Sequence, residues 1–185
     1  MKIRPHLLSV TVLALIVSPI ALARVARAQD DLLTRQQNFE NPTQFGGLHQ
    51  TAEHSSYHWV ENGGMDDSAC LVIEREDKDN YQTCGIINLK NPEPGTYRVS
   101  ADMKVEEFGQ GSAEGFVYID LYNGDEHVPL NPPGISSGPT GGAWVKVEGE
   151  VVVPEGITYG WVGATITKGY TGKVSIDNLV FEKVE

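Results

Sequence analysis

The stretch Tyr97-Arg98-Val99-Ser100-Ala101-Asp102-Met103-Lys104-Val105 places apolar side chains at every odd position and polar ones at every even position. A period of two over nine residues is the pattern of a β-strand with one face on a core and the other in water. The same rule reads outward along the chain. Val145, Val147, Val151 and Val153 form an inward set, with Lys146, Glu148 and Glu150 facing solvent. Further strand candidates are Cys70 to Glu74, Thr83 to Leu89, Gly115 to Tyr122, Thr158 to Thr167 and Lys173 to Lys183. Turn-forming clusters separate them, among them Asn91-Pro92-Glu93-Pro94-Gly95, Asn123-Gly124-Asp125 and Pro154-Glu155-Gly156. No long segment after the N-terminal region holds a 3.6-residue apolar period. Short strands at this spacing without intervening helices predict an all-β antiparallel sandwich or barrel.

Two strands carry aromatics on the face turned away from the core. In Gly115 to Tyr122 the inward set is Val117, Ile119 and Leu121, so Phe116, Tyr118, Asp120 and Tyr122 point outward. In Thr158 to Ile166, Val162, Ala164 and Ile166 point inward, leaving Tyr159 and Trp161 opposite. If both strands share a sheet, five rings lie on one surface, with Asp120 and the polar set Arg98, Ser100, Asp102 and Lys104 to supply hydrogen bonds. Flat rings interleaved with donors and acceptors suit a neutral sugar chain, whose C–H faces lie on rings while its hydroxyls need polar partners. The competing reading is plain cross-strand packing, with the rings covered by loops or buried in the core. Trp144 reads as a packing residue at a strand start, and Tyr57 and Trp59 as the edge of a site or a plug for one end of the sandwich.

The chain has 185 residues, 14 Lys+Arg against 25 Asp+Glu, and a formal charge of −11. Lys2, Arg4, Arg24 and Arg27 fall in the first 28 residues, which hold no acid, so the remaining 157 carry 10 basic and 25 acidic groups, or −15. Such a domain repels nucleic acid, anionic lipid and polyanionic glycan, whose binding depends on Lys and Arg displacing counterions. Lys2 and Arg4 precede an apolar run, Leu7 to Ala23, followed by Ala21-Leu22-Ala23 and Ala26-Arg27-Ala28. This is the pattern of a secretory signal peptide over residues 1–28. The rival, an uncleaved anchor, is opposed by the polar residues and Pro19 in a run shorter than a membrane span needs. The expected organisation is a signal peptide at 1–28, a short linker at 29–37 and one sandwich domain at 38–185. The product would be secreted or periplasmic, with no membrane attachment after cleavage.

Export makes the two cysteines candidates for a bridge. A hairpin centred on Asp77 would set Cys70 and Cys84 directly opposite, close enough for a disulfide. Two free buried thiols are the alternative.

Several motifs in order resemble the jelly-roll carbohydrate-binding modules of the grouping that includes families four, nine and twenty-two. They are Asn38-Phe39-Glu40, Pro94-Gly95-Thr96-Tyr97-Arg98-Val99-Ser100 followed by Lys104, a strand led by Trp144, and Ile176-Asp177-Asn178-Leu179. The resemblance runs from about Gln37 to Glu185. It implies a two-sheet jelly roll that holds glycan on a concave sheet face or end loops, often with a structural Ca²⁺ near the paired terminal strands. Glu40 and Asp177 are then the candidate metal ligands. Asp177 lies among apolar neighbours, where a carboxylate needs compensation that an oxygen-bound hard cation would provide. The alternatives are a hydrogen bond from a nearby turn for Asp177 and a solvated surface position for Glu40.

Catalytic signatures are sparse. His49, His54 and His58 cluster, but Gly46-Gly47, Ser55-Ser56 and Gly63-Gly64 oppose the helix that would align two of them, and no zinc-protease Glu follows His54. Paired glycosidase carboxylates are a spatial property that 25 acids leave open. The leading expectation is a non-catalytic module for neutral poly- or oligosaccharide, working beside a separate carbohydrate-active enzyme. An extracellular adhesion module binding protein, or a small glycan-cleaving enzyme, are the alternatives.

Overall fold

The computed structural model describes residues 34–40, 55–78, 83–108 and 113–184. The expected signal peptide, His49 and His54 lie outside the described residues. The strands are β1 Thr34–Gln37, β2 Ser55–Val60, β3 Cys70–Arg75, β4 Cys84–Lys90, β5 Gly95–Glu107, β6 Gly115–Asn123, β7 Glu126–Val128, β8 Gly134–Ser137, β9 Val145–Val153, β10 Tyr159–Ile166 and β11 Gly172–Lys183. The described helical structure is a 3-10 turn, Met65–Asp67. Two antiparallel sheets result, one ordered β2-β3-β11-β5-β9 with β1 also on β11, the other β4-β10-β6-β7 with β8 also on β6. The predicted sandwich is the observed architecture. Its strand region starts within the expected linker, because residues 34–37 pair with Glu182 to Leu179 of β11.

The core forms where the inward sets of the sheets meet. From β5 come Tyr97, Val99, Ala101, Met103 and Val105, and from β11 Val174, Ile176, Leu179 and Phe181. The second sheet answers with Val117, Ile119, Leu121, Val162, Ala164 and Ile166. Tyr97 and Phe181 stack at 4.5 Å with planes 9° apart. The inward phase of β11 changes between Ile176 and Leu179, which simple alternation does not allow. A bulge lies there, with a register shift between Asp177 and Val180 and Asn178 at φ 48°. The extra residue returns Leu179 and Phe181 to the core.

Trp59, on β2 opposite Leu71, is partly buried. It packs on the core and donates its indole N–H to the Phe39 carbonyl at 2.6 Å, while Tyr57 is itself buried. Arg75 was not singled out in the sequence, yet its side chain is buried. Its guanidinium donates to the carbonyls of Asp77 at 2.9 Å, Lys78 at 2.8 Å and Ile166 at 3.1 Å, and so ties the end of β3 to the end of β10 in the facing sheet.

The disulfide expectation is corrected. Cys70 opens β3 and pairs with Val60 in the first sheet; Cys84 opens β4 and pairs with Ala164 in the second. The segment between β3 and β4 therefore passes from one sheet to the other instead of closing a hairpin. Both thiols are free and buried.

Candidate functional site

Strands β6 and β10 are neighbours, and their register sets Tyr122 opposite Tyr159, Asp120 opposite Trp161, Tyr118 opposite Gly163 and Phe116 opposite Thr165. Since the alternate residues of both strands fill the core, all five predicted rings and Asp120 lie on the outer side of one sheet. Tyr122 and Tyr159 stack at 4.8 Å with planes 1° apart, and Tyr122 and Trp161 at 5.3 Å and 30°. Tyr159 and Trp161 are 6.3 Å apart, so the three rings form a triangle and no ring is sandwiched between the other two. Tyr159 keeps 38% of its surface exposed, and Tyr122 and Trp161 are half-buried. The Tyr122 phenol is held above its usual range by partial burial first, then by the nearby Asp120 and Tyr159.

Two glycines explain how bulky rings fit on this surface. Gly85 of β4 and Gly163 of β10 are paired beside a register shift. The Trp161 ring lies over Gly85, with its Cδ1 3.6 Å from where a Cβ would stand. Tyr118 occupies the space above Gly163, where a Cβ would collide with its Cζ and hydroxyl. Tyr118 is consequently buried, and burial pushes its phenol well above the ordinary range. Its ring lies over Gly163 beside Trp161 and offers no exposed face of its own. Phe116 is half-buried, 6.4 Å from Tyr118.

Polar groups flank the cluster on both sides. Asn88 lies opposite Trp161, and Lys90 opposite Tyr159, both exposed on β4. On the other flank, Asp120 Oδ1 is 3.5 Å from His127 Nε2, and the His127 ring meets Tyr122 edge-on at 5.3 Å. None of Asn88, Lys90 and His127 was identified from sequence. The Asn123-Gly124-Asp125 turn carried the signal for His127, because a tight hairpin there puts it opposite Tyr122.

Arg98 and Asp102 do not join this surface. Both sit on β5, in the other sheet, facing outward. Arg98 is ion-paired with Glu182, and Asp102 accepts from Asn178 Nδ2 at 2.9 Å. Alternation assigned their face correctly, but a strand's period does not reveal its sheet. Lys104 of the same strand lies 5.3 Å from the centre of the Trp144 ring, again away from the cluster.

Glu40 and Asp177 reach one segment from two directions. Glu40 Oε1 accepts from the Ala69 amide at 3.1 Å. Asp177 is fully buried; its Oδ2 accepts from the Met65 amide at 3.0 Å and from the Ser68 hydroxyl, its Oδ1 from the Asn178 amide at 2.7 Å. A turn thus supplies the hydrogen bonds this carboxylate requires. Gly64 leaves room beside it: a Cβ there would lie 2.7 Å from Asp177 Oδ2, 2.8 Å from the Ala69 carbonyl, and against the Ser68 hydroxyl. Oxygen ligands are the chemistry that suits a hard cation. Asp177 Oδ2, the Ala69 carbonyl and Ser68 Oγ surround that position, and Glu40 meets the same segment at the Ala69 amide; no group of three His, Cys, Asp or Glu side chains able to hold a metal occurs among the described residues.

No family model matches this chain, and no curated protein matches it. Solved structures do. The chain is similar to the tandem CBM22-1–CBM22-2 domain of a Paenibacillus barcinonensis protein, at TM-score 0.59 and 17% identity over 82% of this chain and 48% of that one. It is similar to the CBM22-2 xylan-binding domain from the same organism, at TM-score 0.55 and 12% identity over 82% of this chain and 99% of that one. It is also similar to the CBM22-1–GH10 modules of Clostridium thermocellum endo-1,4-beta-D-xylanase 10B complexed with xylohexaose, at TM-score 0.57 and 14% identity over 82% of this chain. The chain spans 28% of that xylanase structure. The match over nearly the whole of a single xylan-binding domain establishes that this chain has the fold of the family-twenty-two modules its sequence resembles.

Proposed function

We propose that the protein is a non-catalytic carbohydrate-binding module that takes neutral poly- or oligosaccharide on the outer face of the β4-β10-β6-β7 sheet. The observation that carries this reading is the triangle of Tyr122, Tyr159 and Trp161, with Trp161 seated over Gly85 beside Tyr118, and polar side chains on its flanks. The rings accept the C–H faces of sugars, and Asp120, Asn88, Lys90 and His127 meet their hydroxyls. An acidic chain with this surface selects uncharged glycan over polyanions. Xylan is the first candidate, because the fold is that of xylan-binding domains. Export through a signal peptide at residues 1–28 would place the module where such polymers occur, beside a separate carbohydrate-active enzyme. A structural Ca²⁺ held by Glu40, Asp177 and the Ala69 carbonyl would bind the start of the described domain to β11, supplying charge compensation and no chemistry.

Native affinity electrophoresis through gels containing xylan, glucomannan, mixed-linkage β-glucan or a polyuronate tests the reading. The expected result is retardation by at least one neutral polymer and none by the polyuronate, with no new reducing ends or unsaturated products on incubation. Free migration through every neutral polymer would refute the reading, and product formation would make the protein an enzyme.

A further inference from the structure

The β6–β7 hairpin adds to the ring triangle a feature that ring stacking does not require. Its two-residue turn sets His127 across from Tyr122, where the imidazole stands 3.5 Å from Asp120 Oδ1 and edge-on to the Tyr122 ring. Asp120 in turn lies across from Trp161. The acceptor best placed to take a sugar hydroxyl beside Trp161 is therefore also the group nearest the imidazole.

We propose that His127 is a specificity-determining residue of the glycan face and makes binding pH-dependent, weaker in acid than at neutral pH. This rests on the reading of the face as a glycan site. A neutral imidazole leaves Asp120 free to accept hydroxyl hydrogens, and its own ring nitrogens can bond the ligand. An imidazolium attracts the carboxylate with a full charge, which a sugar's dipoles do not match, and its edge is drawn to the Tyr122 ring electrons. Acid thus turns both groups toward each other and away from ligand. Histidine is the side chain whose ordinary titration spans pH 5 to 8. The groups facing it are Asp120 and Tyr122 from β6, the strand packed against β7; on its own hairpin Glu126 and Asp125 are the charged neighbours. Half of the His127 side chain is exposed, so solvent screens the pairing and the expected effect is modest, about threefold in affinity.

The experiment is affinity electrophoresis or calorimetry at pH 5.5 and 7.5 with the neutral polysaccharide that retards the wild type, on the wild type, His127→Gln and Asp120→Asn, with thermal unfolding as a check on folding. Binding by the wild type should weaken by about threefold from pH 7.5 to 5.5, and both variants should bind equally at the two values. His127→Gln keeps a hydrogen-bonding amide that does not titrate, so it should retain the affinity seen at pH 7.5 to a greater extent than His127→Ala. Retention that is equal at both pH values, or tighter in acid, overturns this proposal while leaving the glycan reading intact, as does a pH dependence that survives in His127→Gln. Absence of retention at every pH overturns the glycan reading itself, and this proposal with it.

Discussion

Gly163 is an instructive residue because it does its work by lacking a side chain. Tyr118 fills the place its Cβ would take, and the paired Gly85 leaves the Trp161 ring free to lie close to the sheet. The sequence marked Tyr118 as one of five equivalent rings; the structure divides the five into three that form the outer triangle, Tyr118 buried over Gly163, and Phe116 beside Tyr118. Alternation could not make that division, since it depends on what stands across the strand. The cysteines show the same limit and yield a test. Burial, and for Cys70 also the Asp177 carboxylate, pushes the thiols up to about 11 for Cys70 and about 12 for Cys84, from an ordinary value of 9.0. Native protein at pH 8 should leave a thiol reagent unconsumed, and denatured, non-reduced protein should consume two equivalents; none after denaturation would restore the disulfide. Between pH 9 and the raised values the folded chain keeps protons that the unfolded chain has lost. Stability therefore falls as pH rises through that window. A urea midpoint lower at pH 10.5 than at pH 8, with a shallower drop in a Cys70→Ala, Cys84→Ala double variant, is the expected result.

At the level of the strand, β6 presents two faces with different duties. Leu121 is fully buried in the core, whereas Tyr122, its neighbour in the chain, belongs to the outer triangle. Leu121→Ala should cost about 2–5 kcal/mol by removing core contacts and leaving a cavity. Tyr122→Ala should leave the core intact, lower the melting temperature by no more than about 4 °C and weaken glycan binding. Thermal unfolding of the two variants separates the faces; equal destabilisation would mean that the rings are structural. These faces were legible in the sequence because a period of two is a local property. The partners of each strand were not. Arg98 and Asp102 were expected among the rings and lie on the other sheet, and the β3–β4 connection was expected as a hairpin and crosses between sheets. Sheet membership is decided by non-local pairing, which alternation does not record. The bulge after Ile176 escaped for a related reason: the adjacent polar pair Asp177-Asn178 breaks the alternation, and that break alone does not say whether the strand ends there or bulges and continues, as it does.

The whole molecule combines an acidic composition with an outer surface of rings. The carboxylates that stand apart are Glu40 and Asp177, which hold the Met65–Ala69 segment between the start of the described domain and β11. If Ca²⁺ binds there, millimolar Ca²⁺ should raise the melting temperature relative to chelator, and Asp177→Asn should abolish the difference; identical unfolding with and without Ca²⁺ would show that the turn's hydrogen bonds suffice. The fold as a whole was legible from strand spacing and from motifs scattered between Asn38 and Leu179, and it is similar to the fold of a solved xylan-binding domain. The glycan reading stands or falls on the outer triangle, and one comparison tests it most directly. In native gels containing the neutral polysaccharide that retards the wild type, the Tyr159→Ala, Trp161→Ala double variant should migrate as it does in a gel without polymer, while unfolding within about 5 °C of the wild type. Undiminished retardation of a folded double variant would contradict the account, because the sugar would then be held elsewhere.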